Sequence, residues 1–142
     1  MTIAAILKNK GGQVTSVPAE ATVAQAIALL AEERIGAVPV MADGAIAGMF
    51  SERDVIRCLQ SAGAAVLDRP VSDLMTSPAM SVEPGESVIG ALALMTQRRI
   101  RHLPVLEAGR LVGIVSIGDL VKFRIDQIEA DASALRNYIQ GA

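Results

Sequence analysis

The chain repeats itself. Gly48-Met49-Phe50-Ser51-Glu52-Arg53-Asp54 returns about 65 residues later as Gly113-Ile114-Val115-Ser116-Ile117-Gly118-Asp119, and the match runs without a gap through most of both halves. Ser16-Val17 recurs as Ser81-Val82, Val23 to Leu30 as Val88 to Met95, Arg34-Ile35 as Arg99-Ile100, Pro39-Val40 as Pro104-Val105 and Gly44 as Gly109. Whatever the first half folds into, the second half folds into as well, and each carries the same Ser-x-x-Asp turn.

Taken in order, Thr2 to Leu7 is a short helix closed by Lys8-Asn9-Lys10-Gly11-Gly12, and a strand follows around Val14 to Val17. Thr22 and Gln25 form a capping box ahead of Val23, Ala26, Ile27 and Leu30, an i, i+3, i+4, i+7 stripe that predicts a helix to about Arg34. Ile35 to Met41 and Ala45 to Phe50 are β-like runs across an Asp43-Gly44 turn, a hairpin signal. Pro39 and Pro104 cannot donate to a ladder, so each is expected at an edge or facing a loop. Ser51 starts a helix to about Ser61. A short linker with one helical turn, Val71 to Met75, leads into the second copy, where the strand pair spans Arg101 to Leu106 and Arg110 to Val115.

Each repeat therefore reads strand, helix, strand, strand, helix, an α+β unit with extra helices at both ends of the chain. The expected boundaries are 1-63 for the first repeat with its N-terminal helix, 64-78 for the linker, 79-126 for the second repeat and 127-142 for a helical extension. In that extension Val121, Ile125, Ile128, Ala132, Leu135 and Ile139 alternate four- and three-residue steps. The stripe is either packed on its own domain or available to a partner.

With 142 residues and 51% hydrophobic side chains, the chain suits one compact domain or two small units sharing a core, with much of it buried. No apolar run reaches the ~18–20 residues needed to span a bilayer, and the N-terminus has no basic region ahead of its apolar residues. The expectation is a soluble, cytoplasmic protein. A net charge of -2 and 2% aromatics provide neither the basic field nor the stacking surfaces that nucleic acid requires. The single cysteine, Cys58, excludes an internal disulfide and reads as a small core residue on an apolar helix face.

Ser-x-x-Asp after a strand has a plain structural reading, with Ser capping the helix and Asp at N3 completing the cap. It also has a functional one. A carboxylate can accept hydrogen bonds from a ribose diol, and the helix N-terminus beside it offers free N–H groups to a phosphate. Signals for catalysis are missing: there is no His-Glu-x-x-His, no Gly-x-x-x-x-Gly-Lys loop and no Cys/His dyad at meaningful spacing, so neither catalytic nor metal-binding residues are expected.

The duplicated pattern xxIxxxPVxxxGxxxGxxSxxD resembles the CBS domain, and the chain resembles a stand-alone tandem pair of them, a Bateman module, over about Val14 to Leu59 and Met80 to Ile125. The resemblance implies a pseudo-twofold pair of repeats with up to two clefts for adenosine-containing ligands: AMP, ADP, ATP, NAD(H) or S-adenosylmethionine. It implies a ribose clamp at Asp54 and Asp119, with Ser51 and Ser116 facing the ribose or phosphate. It also implies adenine walls at Thr15, Ile35, Gly36 and Ala37, and at Met80, Ile100, Arg101 and His102, each wall joined to the Ser-x-x-Asp turn of the other repeat. Arg53 in one copy stands where the other has Gly118, and Arg101-His102 where the other has Gly36-Ala37, so the two sites are expected to differ in ligand or affinity. Arg101 and His102 also have a bland reading, as a solvated or satisfied strand end. The implied role is regulatory, sensing energy or redox state as a homodimer or through a regulated protein partner. The alternative is a ligand-free assembly module.

Overall fold

The computed structural model describes residues 1–141; the last position of the expected extension, Ala142, lies outside the described residues. The element order is α1 (Ile3–Lys10), β1 (Val17–Pro18), α2 (Val23–Glu33), β2 (Ala37–Ala42), β3 (Ala45–Ser51), α3 (Glu52–Ala62), a 3-10 segment (Gly63–Asp68), α4 (Val71–Leu74), α5 (Val88–Arg98), β4 (His102–Glu107), β5 (Arg110–Ser116) and α6 (Ile117–Gly141). This is the α+β duplication that the repeat dictates, down to backbone detail. Arg34 and Arg99 close their helices in the left-handed region at φ 54 and 55. Asp43 and Ala108 open their hairpin turns at φ 52 and 51, with Gly44 and Gly109 following at φ 78 in both. Each hairpin also carries one register shift, between Val40 and Met41 and between Val105 and Leu106.

Three sequence expectations change. The strand around Val14 to Val17 shrinks to Val17–Pro18, and its twin to a single bridge from Val82 to Val105, because the residues ahead leave the sheet edge. Pro39 lies in β2, the middle strand of its sheet, rather than at an edge, whereas Pro104 lies in β4 of a two-stranded sheet, an edge strand as expected. Val82 bonds only the Pro104 carbonyl and the Leu106 N–H, so the proline's missing N–H falls just before the pairing begins. Finally, α1 does not pack on the first repeat. Ile3 and Ile6 sit in the core of the second, with Val88, Met95, Leu103, Val115 and Leu120, and the Ile3 N–H donates to the Glu86 carbonyl.

The linker makes the reciprocal contribution. Val66 and Val71 complete the first core beside Val23, Leu30, Val38, Phe50 and Cys58, which is buried there as expected. Each repeat is thus covered by the helix that precedes the other, and β3 lies against β5 between them. Two glycines allow the close approach. A Cβ on Gly113 would stand 2.6 Å from Leu7 Cδ2 on α1, and one on Gly48 would stand 2.6 Å from the Thr76 carbonyl oxygen after α4. A leucine methyl can rotate away; a carbonyl paired with Met49 N–H cannot. Gly48→Ala is therefore expected to destabilise by about 1–3 kcal/mol, and Gly113→Ala by less, in paired urea denaturation curves. Equal losses would contradict this account of the packing.

Candidate functional site

Both Ser-x-x-Asp turns form the same reciprocal cap. At the β3–α3 junction the Ser51 N–H donates to Asp54 Oδ2 at 2.9 Å and the Asp54 N–H donates to Ser51 Oγ at 3.3 Å. At β5–α6 the Ser116 N–H donates to Asp119 Oδ2 at 2.9 Å and the Asp119 N–H donates to Ser116 Oγ at 3.1 Å. Two backbone donors that a helix start would leave unpaired are satisfied in each case.

The surroundings of the two carboxylates differ. Asp54 is 6% exposed, its Oδ2 also accepts from Ser51 Oγ at 3.1 Å, and its Oδ1 accepts from Thr76 Oγ1 at 2.9 Å. Asp119 has a side chain 28% exposed, and its Oδ2 accepts from Lys10 Nζ at 2.6 Å. Among the described residues nothing donates to its Oδ1. Lys10, the last residue of α1, also donates to the Ile114 carbonyl at 3.0 Å, so its ammonium is held on two acceptors of the second repeat. Burial works against the charged form of Asp119, but the Lys10 ammonium and the Ser116 donors outweigh it and hold the carboxyl below its ordinary value.

Beside this turn lies a cleft of about 300 Å3. Thr15, Ile35, Gly36 and Ala37 of the first repeat line one side, and Ile114 and Ser116 of the second line the other. Lys10, Arg34 and His102 bring nitrogen donors and Gln13 an amide. The tertiary structure thus assembles four first-repeat residues singled out by sequence with a second-repeat serine. The wall is close-packed at Gly36: a Cβ there would come within 2.9 Å of Glu52 Oε1, the end of an exposed side chain that can move aside, and 3.1 Å of His102 Cε1.

The remaining sequence candidates are dispersed. His102 lines this cleft rather than a second one. Arg53 reaches across the repeats and donates from Nη1 to the Arg99 carbonyl at 2.8 Å, capping the end of α5. Met80, Ile100 and Arg101 line neither this cleft nor a second, more open depression of about 250 Å3 beside Asp54. That depression draws on Arg57, Cys58 and Ser61 from α3 and on Asp73 to Thr76 from the segment that leads into the second hairpin. Gly118 lies in the first turn of α6, where a Cβ would meet Ser116 Oγ at 3.6 Å. Sequence reasoning did not single out Lys10, Gln13, Arg34, Glu52, Ile114 or Thr76. One signal was available: Lys10 and Thr76 both end the helix-bearing lead-in to a repeat.

Two measurements follow. Asp54→Ala would remove a buried carboxylate that accepts from the Ser51 N–H and hydroxyl and from the Thr76 hydroxyl, and is expected to cost about 1–2 kcal/mol. Asp119→Ala, partly open to water, is expected to cost less; a reversed order in urea melts would refute the contrast. Burial, and next the Lys10 ammonium, push His102 below its ordinary value, against the opposing pull of Asp119 and Glu52. The unfolded chain then takes up the proton first, so stability is full above pH 6.5 and declines as pH falls from there toward the lower folded-state value. His102→Gln should flatten that slope in denaturation midpoints compared at pH about 7.5 and about 5.5.

Comparison with known proteins accounts for the geometry. The family model described as CBS domain matches residues 9–61 and 71–126. The chain is 34% identical over 99% of its length to the CBS domain-containing protein CBSX3, mitochondrial, of Arabidopsis thaliana, covering 72% of that protein. It is 35% identical over 88% of its length to the CBS domain-containing protein YhcV of Bacillus subtilis, covering 88% of it. Among solved structures, the CBS-domain containing protein ATU1752 of Agrobacterium tumefaciens superposes with a TM-score of 0.84 at 38% identity, over 87% of this chain and 99% of that one. Two others were solved with AMP. CBSX2 has a TM-score of 0.72 at 28% identity, over 82% of this chain and 90% of that one. PAE2072 of Pyrobaculum aerophilum has a TM-score of 0.74 at 28% identity, over 84% and 89%. A match at 32% identity to inosine-5'-monophosphate dehydrogenase of Mycobacterium tuberculosis covers 22% of that enzyme.

Proposed function

The chain belongs to the CBS-domain family, and from that premise we propose that it is a regulatory module binding an adenosine mononucleotide, AMP foremost, in the cleft between its repeats. One observation carries the reading: a single cleft joins Thr15 and Ile35 to Ala37 of the first repeat to the Ser116 turn of the second, beside a carboxylate whose Oδ1 has no donor among the described residues. AMP in CBSX2 and in PAE2072 supports the ligand class. The volume favours one nucleotide over a dinucleotide, since about 300 Å3 is the lower end of the ~300–1,000 Å3 typical of ligand pockets.

In this reading the adenine lies against Thr15 and the Ile35–Ala37 wall, and a ribose hydroxyl donates to Asp119 Oδ1 without displacing Lys10 from Oδ2. Lys10 and Arg34 supply positive charge for the phosphate. The ligand touches both repeats and Lys10 at the end of α1, so it favours whichever arrangement of the halves permits all three contacts, and that difference is what a partner would sense. Asp54, saturated by Ser51 and Thr76, supports the first repeat rather than a second nucleotide. The module carries no reaction of its own in this reading.

Thermal shift against AMP, ADP, ATP, NAD, NADH and S-adenosylmethionine tests it. AMP at 100 times its Kd should stabilise by about 2.7 kcal/mol, raising Tm by about 9 °C for a chain of this size. Asp119→Ala and Lys10→Ala should each remove most of the rise. No rise with any of the six, in protein freed of carried-over nucleotide, would overturn the proposal, and a rise with NAD(H) alone would replace the mononucleotide.

A further inference from the structure

α6 runs unbroken from Ile117 to Gly141, about 37 Å at ~1.5 Å per residue. Only its start is anchored: Leu120 is fully buried and Phe123 packs on the second core, whereas from Glu129 to Gly141 every residue is exposed. A helical arm of that length standing alone in water is marginal, so it needs something to pack against. The apolar stripe of Val121, Ile125, Ile128, Leu135 and Ile139 is 43 to 67% exposed, and at Leu120 and Phe123 the core holds a different face.

The charges beside the stripe say what covers it. With Ile125, Ala132 and Ile139 at a and Val121, Ile128 and Leu135 at d, the g positions are Arg124, Asp131 and Tyr138 and the e positions are Lys122, Glu129 and Arg136; the four that could pair across a parallel seam are Arg124, Asp131, Glu129 and Arg136. None of these four is in an ion pair within the described chain; Arg124 and Arg136 make only contacts of 3.3 Å to Gln127 and Ser133 on their own helix. In a parallel, in-register pair of identical helices, g of one faces e of the next heptad of the other. Arg124 then meets Glu129 of the second copy, Asp131 meets Arg136 of the second copy, and the twofold axis makes each pair twice. An antiparallel pair with all six apolar positions in register would instead set Glu129 against Glu129, Asp131 against Asp131 and Lys122 against Arg136.

We propose that the exposed stripe of α6 is a self-association surface on which the arm of a second copy lies parallel and in register, joining two modules tail to tail. This is independent of the nucleotide reading. Leu120 and Phe123 hold the body on a face of the helix other than the stripe, which leaves the stripe open to a second arm.

Sedimentation equilibrium of the full chain tests the surface, with Cys58→Ser as background for a cross-link. Ile128→Asp, at an exposed position that leaves the core intact, should weaken association about tenfold or more. Glu129→Arg should also weaken it, and adding Arg124→Glu should restore it. Under oxidation Ile139→Cys should give a disulfide-linked dimer, since only parallel register sets the two copies of residue 139 side by side. A mass unchanged by Ile128→Asp in protein with wild-type circular dichroism, failure of the double reversal to restore association, or an Ile139→Cys dimer that does not cross-link would each overturn the proposal.

Discussion

The carboxylate at the third position of a helix, accepting the N–H of the serine that caps it, is the interaction on which the rest of this structure hangs. It ties the last residue of a hairpin strand to the first turn of the following helix, so strand and helix leave the junction at a fixed angle. In each repeat a third partner arrives from the segment leading into a repeat: the Thr76 hydroxyl at Asp54 and the Lys10 ammonium at Asp119. Strand, helix and lead-in meet on one side chain. What the carboxylate can do beyond that depends on which oxygen is still free, and only at Asp119 does one remain without a donor among the described residues.

The lead-in segments are exchanged between the halves. α1 begins the first repeat in sequence and completes the core of the second, while the linker helix opens the second repeat and covers the first. Neither core is finished by its own repeat, so the two halves fold as one body. The exchange is also what delivers Lys10 to the cleft, and it brings the crossing segments against Gly48, where the Thr76 backbone leaves no room for a side chain, and against Gly113, where the movable Leu7 side chain lies.

Within that body the two copies have kept their backbone and parted in chemistry. Helix ends, turns and bulges repeat to within a few degrees or a single residue. The side chains at equivalent places do not: Gly36 and Ala37 stand opposite Arg101 and His102, Glu52 and Arg53 opposite Ile117 and Gly118. Arg53 spends its guanidinium on a helix cap across the repeats. Glu52 and His102 crowd the wall at Gly36, so the asymmetry gathers around one cleft.

Duplication, element order, capping boxes, hairpin turns and the family were all legible in the sequence. They rest on local rules: a cap satisfies donors one turn away, a left-handed turn favours glycine, and an apolar period follows from helix geometry. That Thr15, Ile35, Gly36, Ala37 and Ser116 share one cleft was legible too, because the repeat and its family resemblance marked them. The partners of Lys10, the crossing of α1 to the second repeat, the move of His102 into the first cleft and the saturation of Asp54 were not. Each is set by contacts between segments far apart in the chain, where the packing of two cores chooses among neighbours that no local pattern ranks. The sequence by itself determined what each half is, and the tertiary structure alone decided which side chains of the two halves face one another, since that depends on how the cores exchange their covering helices.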